Sequence, residues 1–388
     1  MPVVLVAGLF AVLLAACSKQ EGSDADPVAA QLSVSMAGWE TDFSKHTVAL
    51  DEFASGGPGK DGIPAIDEPR FVSTGEADPL LSDREPVAVV EVGGGRARAY
   101  PLRIMVWHEI VNDRIDGRPI AVTYCPLCNS TVAFDRRVDG RTLSFGTTGN
   151  LRLSDLVMYD RQTESWWQQI TAEAVVGELA GAQLRVFPSQ ILAWRDFQRL
   201  YPDGRVLSTE TGFERPYGEN PYAGYDDPKS APFALESEPD GALPPKERVV
   251  AVQTGEMSAV VYPFTRLQEE APVNDFISRA AKVRRRPIVV VFDPEVGSAL
   301  DSESIPEGRE VGAAAVFDRR LGGRTLRFDA GPDPGTFVDA QTGSTWEITG
   351  EAITGPLAGR ALTVVPSDDQ FWFALAAFFP DAEIRGPA

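Results

Sequence analysis

Phe134-Asp-Arg-Arg-Val-Asp-Gly-Arg-Thr-Leu-Ser-Phe145 returns almost unchanged as Phe317-Asp-Arg-Arg-Leu-Gly-Gly-Arg-Thr-Leu-Arg-Phe328. Each copy is a short run with a central Asp-Gly or Gly-Gly, the signature of a tight β-hairpin. Working outward, the match continues on both sides. Tyr100-Pro101 answers to Tyr262-Pro263, and Asn112-Asp113 to Asn274-Asp275. Downstream, Asp160, Thr163, Ser165 and Trp167 answer to Asp339, Thr342, Ser344 and Trp346, and Trp194 to Trp372. Ordered identities over such a length predict two tandem homologous units, residues 86–210 and 248–388. Shared residues are expected to build the fold, and chemistry present in one copy alone to be that copy's own.

The differences are concentrated. His108 faces Glu270, Cys125 faces Asp293, Cys128 faces Val296, and the loop Gly146-Thr-Thr-Gly-Asn150 faces an unrelated Gly/Pro-rich stretch. The second unit is therefore read as degenerate. Strand-like runs follow one another (Val87–Val92, Ala97–Tyr100, Ile120–Tyr124, Leu156–Tyr159, Ser165–Gln169, Gln183–Phe187), with helices expected at about Leu102–Val111, Ser189–Leu200 and Asp368–Phe379. This is an α+β, mainly β plan, and a doubly wound α/β fold is not expected.

Residues 2–16 are almost wholly apolar and end in Leu14-Ala-Ala-Cys17, before an acidic, aperiodic stretch. That pattern predicts a lipoprotein signal peptide over 1–16, lipid attachment at Cys17 and a flexible tether over 17–38. Residues 39–85 form a loop-rich segment expected to pack on the first unit, and 211–247 a Tyr/Pro/Gly-rich loop or linker. The expected place is the bacterial cell envelope, periplasmic side, with the membrane as partner through the lipid. A net charge of −20 and a pI near 4.6 exclude nucleic acid as a partner. No P-loop, dinucleotide fingerprint, serine nucleophile elbow or metalloprotease helix occurs, so no nucleotide cofactor is expected.

With Cys17 assigned to lipid, two thiols remain, Cys125 and Cys128, in Cys125-Pro-Leu-Cys-Asn129. In an oxidising compartment a lone close pair is a disulfide or is held by metal. The chain has only two histidines, His46 and His108. Cys125 and Cys128 with one of them would suit copper or zinc. A His108 late in a helix running back along the strand into Cys125 stands about 10–15 Å away, which leaves His46 as the other candidate. The alternatives are thiol–disulfide redox chemistry on the same pair and a small-molecule binding module stapled by a disulfide. The module's pocket is expected to be lined by Gly146, Thr147, Thr148, Gly149, Asn150, Tyr159, Trp166, Gln168, Tyr217, Tyr222 and Tyr225.

Asp42-Phe-Ser-Lys-His46, Lys60-Asp-Gly-Ile-Pro64, His108-Glu-Ile-Val-Asn-Asp113, Tyr124-Cys-Pro-Leu-Cys-Asn129, Phe145-Gly-Thr-Thr-Gly149, Ser154-Asp-Leu-Val-Met-Tyr-Asp-Arg-Gln-Thr-Glu-Ser-Trp-Trp-Gln-Gln169 and Arg215-Pro-Tyr-Gly-Glu-Asn-Pro-Tyr222 together resemble the prokaryotic domain-of-unknown-function family numbered 3179. The resemblance covers about residues 39–226. It implies exported or lipid-anchored members and one composite site holding His46, His108, Cys125, Cys128 and the Tyr217–Tyr222 loop. It brings no activity.

Overall fold

A computed structural model describes residues 32–91, 97–235, 240–255, 257–278 and 285–385. The expected signal peptide, Cys17 and most of the tether lie outside the described residues. The fold is mainly β, with short helices at sheet edges.

In the first half, Ser189–Ala193, Pro86–Glu91, Ala97–Pro101, Arg205–Leu207 and Phe71–Ser73 make one sheet in that order. Arg185–Phe187, Ser130–Asp135, Arg118–Cys125 and Ile110–Ile115 make a second, and Phe53–Ser55, Phe145–Arg152, Asp155–Asp160, Trp166–Gln168 and Ala174–Val176 a third. The second half runs through the same orders with fewer strands. Asp368–Phe371 lies beside Arg248–Gln253, Ala259–Pro263 and Glu383–Ile384, while Thr363–Val364, Ala313–Asp318, Arg286–Asp293 and Val273–Ile277 form the next sheet. Phe328–Ala330, Thr336–Asp339, Thr345–Glu347 and Ala352–Thr354 form the last.

The residues common to both halves make the same bonds. Asn112 ties its amide to the backbone N–H and carbonyl of Phe145, at 2.9 and 2.8 Å, and Asn274 does the same to Phe328, at 2.9 and 2.7 Å. Asp160 accepts from Thr163 N at 2.7 Å and Trp167 Nε1 at 2.9 Å; Asp339 accepts from Thr342 N at 2.6 Å and Trp346 Nε1 at 3.0 Å. Each aspartate thus satisfies a buried indole donor and closes a turn at once, which is why this set is repeated together.

The helices are shorter than their apolar patterns suggest. Ser189–Leu200 divides into the strand Ser189–Ala193 and the helix Trp194–Leu200, and Asp368–Phe379 into Asp368–Phe371 and Trp372–Phe378. Ladder bonds to Pro86–Val90 take the first five residues into the sheet, and Ser189 is not a cap; its hydroxyl donates to Thr131 O at 3.0 Å. Tertiary pairing overrides local propensity here. The helix Leu102–His108 also ends early, because Glu109 has a φ of +57° and Ile110 begins a strand.

The cores of the halves are exchanged. Trp194 and Phe197 from the first half pack with Val289, Phe317, Phe328 and Trp346 of the second. Conversely, Phe371, Phe373 and Ala374 enter a cluster with Cys125, Cys128, Phe134, Phe145 and Trp167. The segment after residue 210 is pinned as well: fully buried Asp226 pairs with Arg248 at 2.9 Å and Arg309 at 2.8 Å. The two halves accordingly share buried clusters and are expected to unfold as one. Phe371→Ala, which empties a fully buried position between them, should cost about 3–5 kcal/mol. Urea unfolding followed by far-UV dichroism and by tryptophan fluorescence should show a lower midpoint with the two signals still coincident.

Candidate functional site

Cys125 is the last residue of Arg118–Cys125 and pairs with Ser130 across the turn 126–129. Asn129 closes that turn at a φ of +53°, with its N–H on Pro126 O at 3.3 Å. A second turn, at Leu153 and Ser154, starts the strand Asp155–Asp160 from the same side. The two turns bring the sulfurs of Cys125 and Cys128 and a carboxylate oxygen of Asp155 within 4.8 Å of one another, all buried. Both thiols are free. Asp155 Oδ2 accepts from Gln168 Nε2 at 2.6 Å and Ile170 N at 3.1 Å, while Oδ1 is buried without a partner.

Neither histidine stands in this group. His108 Nδ1 lies 2.7 Å from Pro64 O, and Nε2 lies 2.7 Å from the Tyr217 hydroxyl. A carbonyl can only accept, so Nδ1 carries the proton and Nε2 accepts from the tyrosine. Both ring nitrogens are occupied, and burial holds the imidazole below its usual range, in the neutral form. His46 is exposed, bridged to Val176, with Nδ1 2.8 Å from Val48 O. The place expected for a histidine belongs to Asp155. His108 is instead tied to the segment through Pro64 and to the Tyr217 loop.

Burial dominates the electrostatics. It raises the Cys125 thiol and, further, the Cys128 thiol, and it lifts Asp155 to about 6. Glu109 is pushed up to about 8, by burial first and the Asp155 charge second. Its position is fixed by backbone: Glu109 N donates to Met105 O and Tyr124 N donates to Glu109 O, each at 2.8 Å. Left-handed geometry at a non-glycine residue costs about 1 kcal/mol or more, and such strain collects at functional positions.

Beside the cluster lies a cavity of about 580 Å³. Its wall includes Pro58, Glu109, Leu127, Thr147, Gly149, Asn150, Leu151, Leu156, Tyr222, Tyr225, Phe233 and Lys246. Five of the expected lining residues are there: Thr147, Gly149, Asn150, Tyr222 and Tyr225. Gly149 has to be glycine, since its φ is +75° and a Cβ would stand 1.9 Å from Pro58 O. The other six are placed elsewhere. Trp166 is sealed among Trp39, Phe43 and Phe53, with ring centroids 5.1–5.2 Å away. Tyr159 bonds Asp61 and packs on Trp39, and Gly146 lies opposite it in the ladder. Thr148 donates to Val157 O at 2.6 Å, Gln168 is spent on Asp155, and Tyr217 on His108. Trp166 is closed to a ligand because residues 39–53 cover that side of the sheet.

Asp155, Glu109 and Lys246 were not anticipated as site residues. For the first two the signal was present: continuing the alignment of the halves, Glu109 faces Ala271 and Asp155 faces Pro334, the same one-copy pattern that singled out the cysteines.

Glu109 also makes a pH prediction. A carboxyl whose folded pKa is raised from 4.5 to about 8 stabilises the fold below its unfolded pKa, and that contribution is lost as pH rises through 8. Metal-free protein should therefore lose stability progressively between about pH 5 and pH 8. Glu109→Gln should lessen that slope, to which Asp155, Asp368 and Asp369, lifted by burial to about 6, 7 and 8, also contribute, leaving the variant more stable than the parent under alkaline conditions, as read by urea midpoints across the range.

No curated protein and no solved structure matches the chain. The family described as "Protein of unknown function (DUF3179)" matches over residues 60–382. The match runs well past residue 226, where the motif resemblance stops, and takes in the second set of sheets, in keeping with a core that neither half completes alone. The chain belongs to this family.

Proposed function

We propose that the first half holds a transition-metal ion, zinc rather than copper, on Cys125, Cys128 and Asp155. The observation that carries this reading is the convergence of two free thiols on a carboxylate whose Oδ1 is buried and unpartnered. A buried polar atom left without a partner costs about 1–3 kcal/mol, and a bound cation removes that cost. A cation would also reverse the effect of burial on the thiols and hold them as thiolates. Two sulfurs with one oxygen fit zinc, which takes both donor types at about 2.0–2.3 Å, whereas copper(I) prefers soft donors throughout. The thiol-exchange reading has less support, because burial beside a carboxylate depresses the thiolate fraction that attack requires.

The protein is further proposed to be an exported lipoprotein anchored through Cys17, its two halves derived from one duplicated unit. Among the described residues no helix is long and apolar enough to cross a membrane. A second functional reading, a small-molecule binding module, is supported by the cavity over the cluster.

Protein purified under reducing conditions should carry close to one equivalent of zinc by mass spectrometry. Cys125→Ser, Cys128→Ser and Asp155→Asn should each lower that content severalfold, with His46→Ala and His108→Ala unchanged. Zinc and copper both far below stoichiometry, and indifferent to Cys125→Ser, would end the metal reading. Cells fed a radiolabelled fatty acid should label the parent chain, and Cys17→Ser should abolish the label.

A further inference from the structure

The cavity wall carries polar groups that the protein itself does not use. The Glu109 carboxyl, 7 % exposed, and the Tyr222 hydroxyl have no hydrogen-bond partner among the described residues, although both line the space. Neither group is sealed within protein, and the half-buried Tyr222 hydroxyl and the Glu109 carboxyl line one space, so a molecule seated there can complete both. Most of the remaining wall is apolar: Pro58, Ile63, Leu127, Leu151, Leu156 and Phe233. The volume suits a molecule of one or two rings, or a short chain.

The charges narrow the class. Lys246 also lines the cavity, but its ammonium is committed, donating to Tyr225 O at 2.6 Å and Ser230 Oγ at 2.7 Å and lying 3.4 Å from the Tyr225 ring centroid. With two of its three N–H groups spent and the ammonium against that ring, it is a poor partner for an anion, and its charge repels an organic cation. Glu109 on the wall, whose charged form burial disfavours, gives an anion no counter-charge and can donate its carboxyl proton to an accepting oxygen. Resting on the binding-module reading, we infer that the cavity takes an uncharged, mainly apolar organic molecule bearing a hydrogen-bond-accepting oxygen, and that Glu109 and Tyr222 hold that oxygen. The glycine loop and the residues 221–233 enclose its apolar body.

Two fluorescent naphthalenes separate the outcomes on the full chain: neutral 6-propionyl-2-dimethylaminonaphthalene, whose ketone is an acceptor, and the anion 1-anilinonaphthalene-8-sulfonate. The ketone should bind saturably at one equivalent with a blue-shifted emission, with or without a chelator, so that loss of metal is read apart from loss of the pocket. Glu109→Leu and Tyr222→Phe should each weaken it on the order of tenfold, and Glu109→Gln, which keeps a donor, by only about threefold. Ala223→Trp and Ala231→Trp, at cavity-lining positions, should abolish binding while the thermal midpoint stays near that of the parent. Tighter binding of the sulfonate, or indifference of the ketone to Glu109→Leu and Tyr222→Phe, overturns the ligand class. Failure of both probes, or ketone binding that survives both tryptophan variants, overturns the binding module itself.

Discussion

The backbone bond from Phe371 N to Cys128 O, 2.8 Å long, is the contact on which most of this structure turns. It joins the strand Asp368–Phe371 of the second half to the turn that carries the cysteines, and it places Phe371 in the same buried cluster as Cys125 and Cys128. Water is thereby excluded from one side of the thiols. Burial raises their pKa values and that of Asp155, and the same burial makes Asp155 Oδ1 an open acceptor instead of a solvated one. A second half that lacks the cysteines is thus a structural part of the cysteine site, through packing and not through ligands.

Acidic groups are unevenly spent in this chain. With a net charge of −20, most carboxylates serve solubility, yet a few are carried inside, each with a different answer to the cost of desolvation. Asp226 is answered by two arginines and Ser298. Asp160 and Asp339 are answered by backbone, hydroxyl and indole donors. Asp155 is answered on one oxygen only, and Glu109 on neither. The graded series sets the carboxylates that build the fold apart from Asp155 and Glu109, which stay chemically open beside the cysteines; Asp196 and Glu347 also keep one buried oxygen unpartnered elsewhere.

The fold was legible wherever one residue did two local jobs. The hairpins at 134–145 and 317–328, the Asn–Phe clamps and the Asp–Thr–Ser–Trp turns all leave short, ordered patterns, and comparing the halves made them visible. What stayed hidden depended on which distant segment covers which face. Nothing local in Trp166 says that residues 39–53 will seal it, and nothing in Ser189–Leu200 says that its first five residues are claimed by Pro86–Val90. The cysteine pair was legible by spacing. Its third member was marked only by the one-copy pattern, Asp155 against Pro334, which an aspartate among 56 acidic residues shares with many surface positions until the turn at Leu153–Ser154 aims it.

Asp226 gives the segment over the cavity an unusual mechanical status. Residues 221–233 form the outer wall of a space belonging to the first half, yet the next buried anchor on that segment is held by Arg248 and Arg309 of the second. The wall is therefore braced from outside the half whose cavity it closes, and Arg309, which does not line the cavity, shares in holding it.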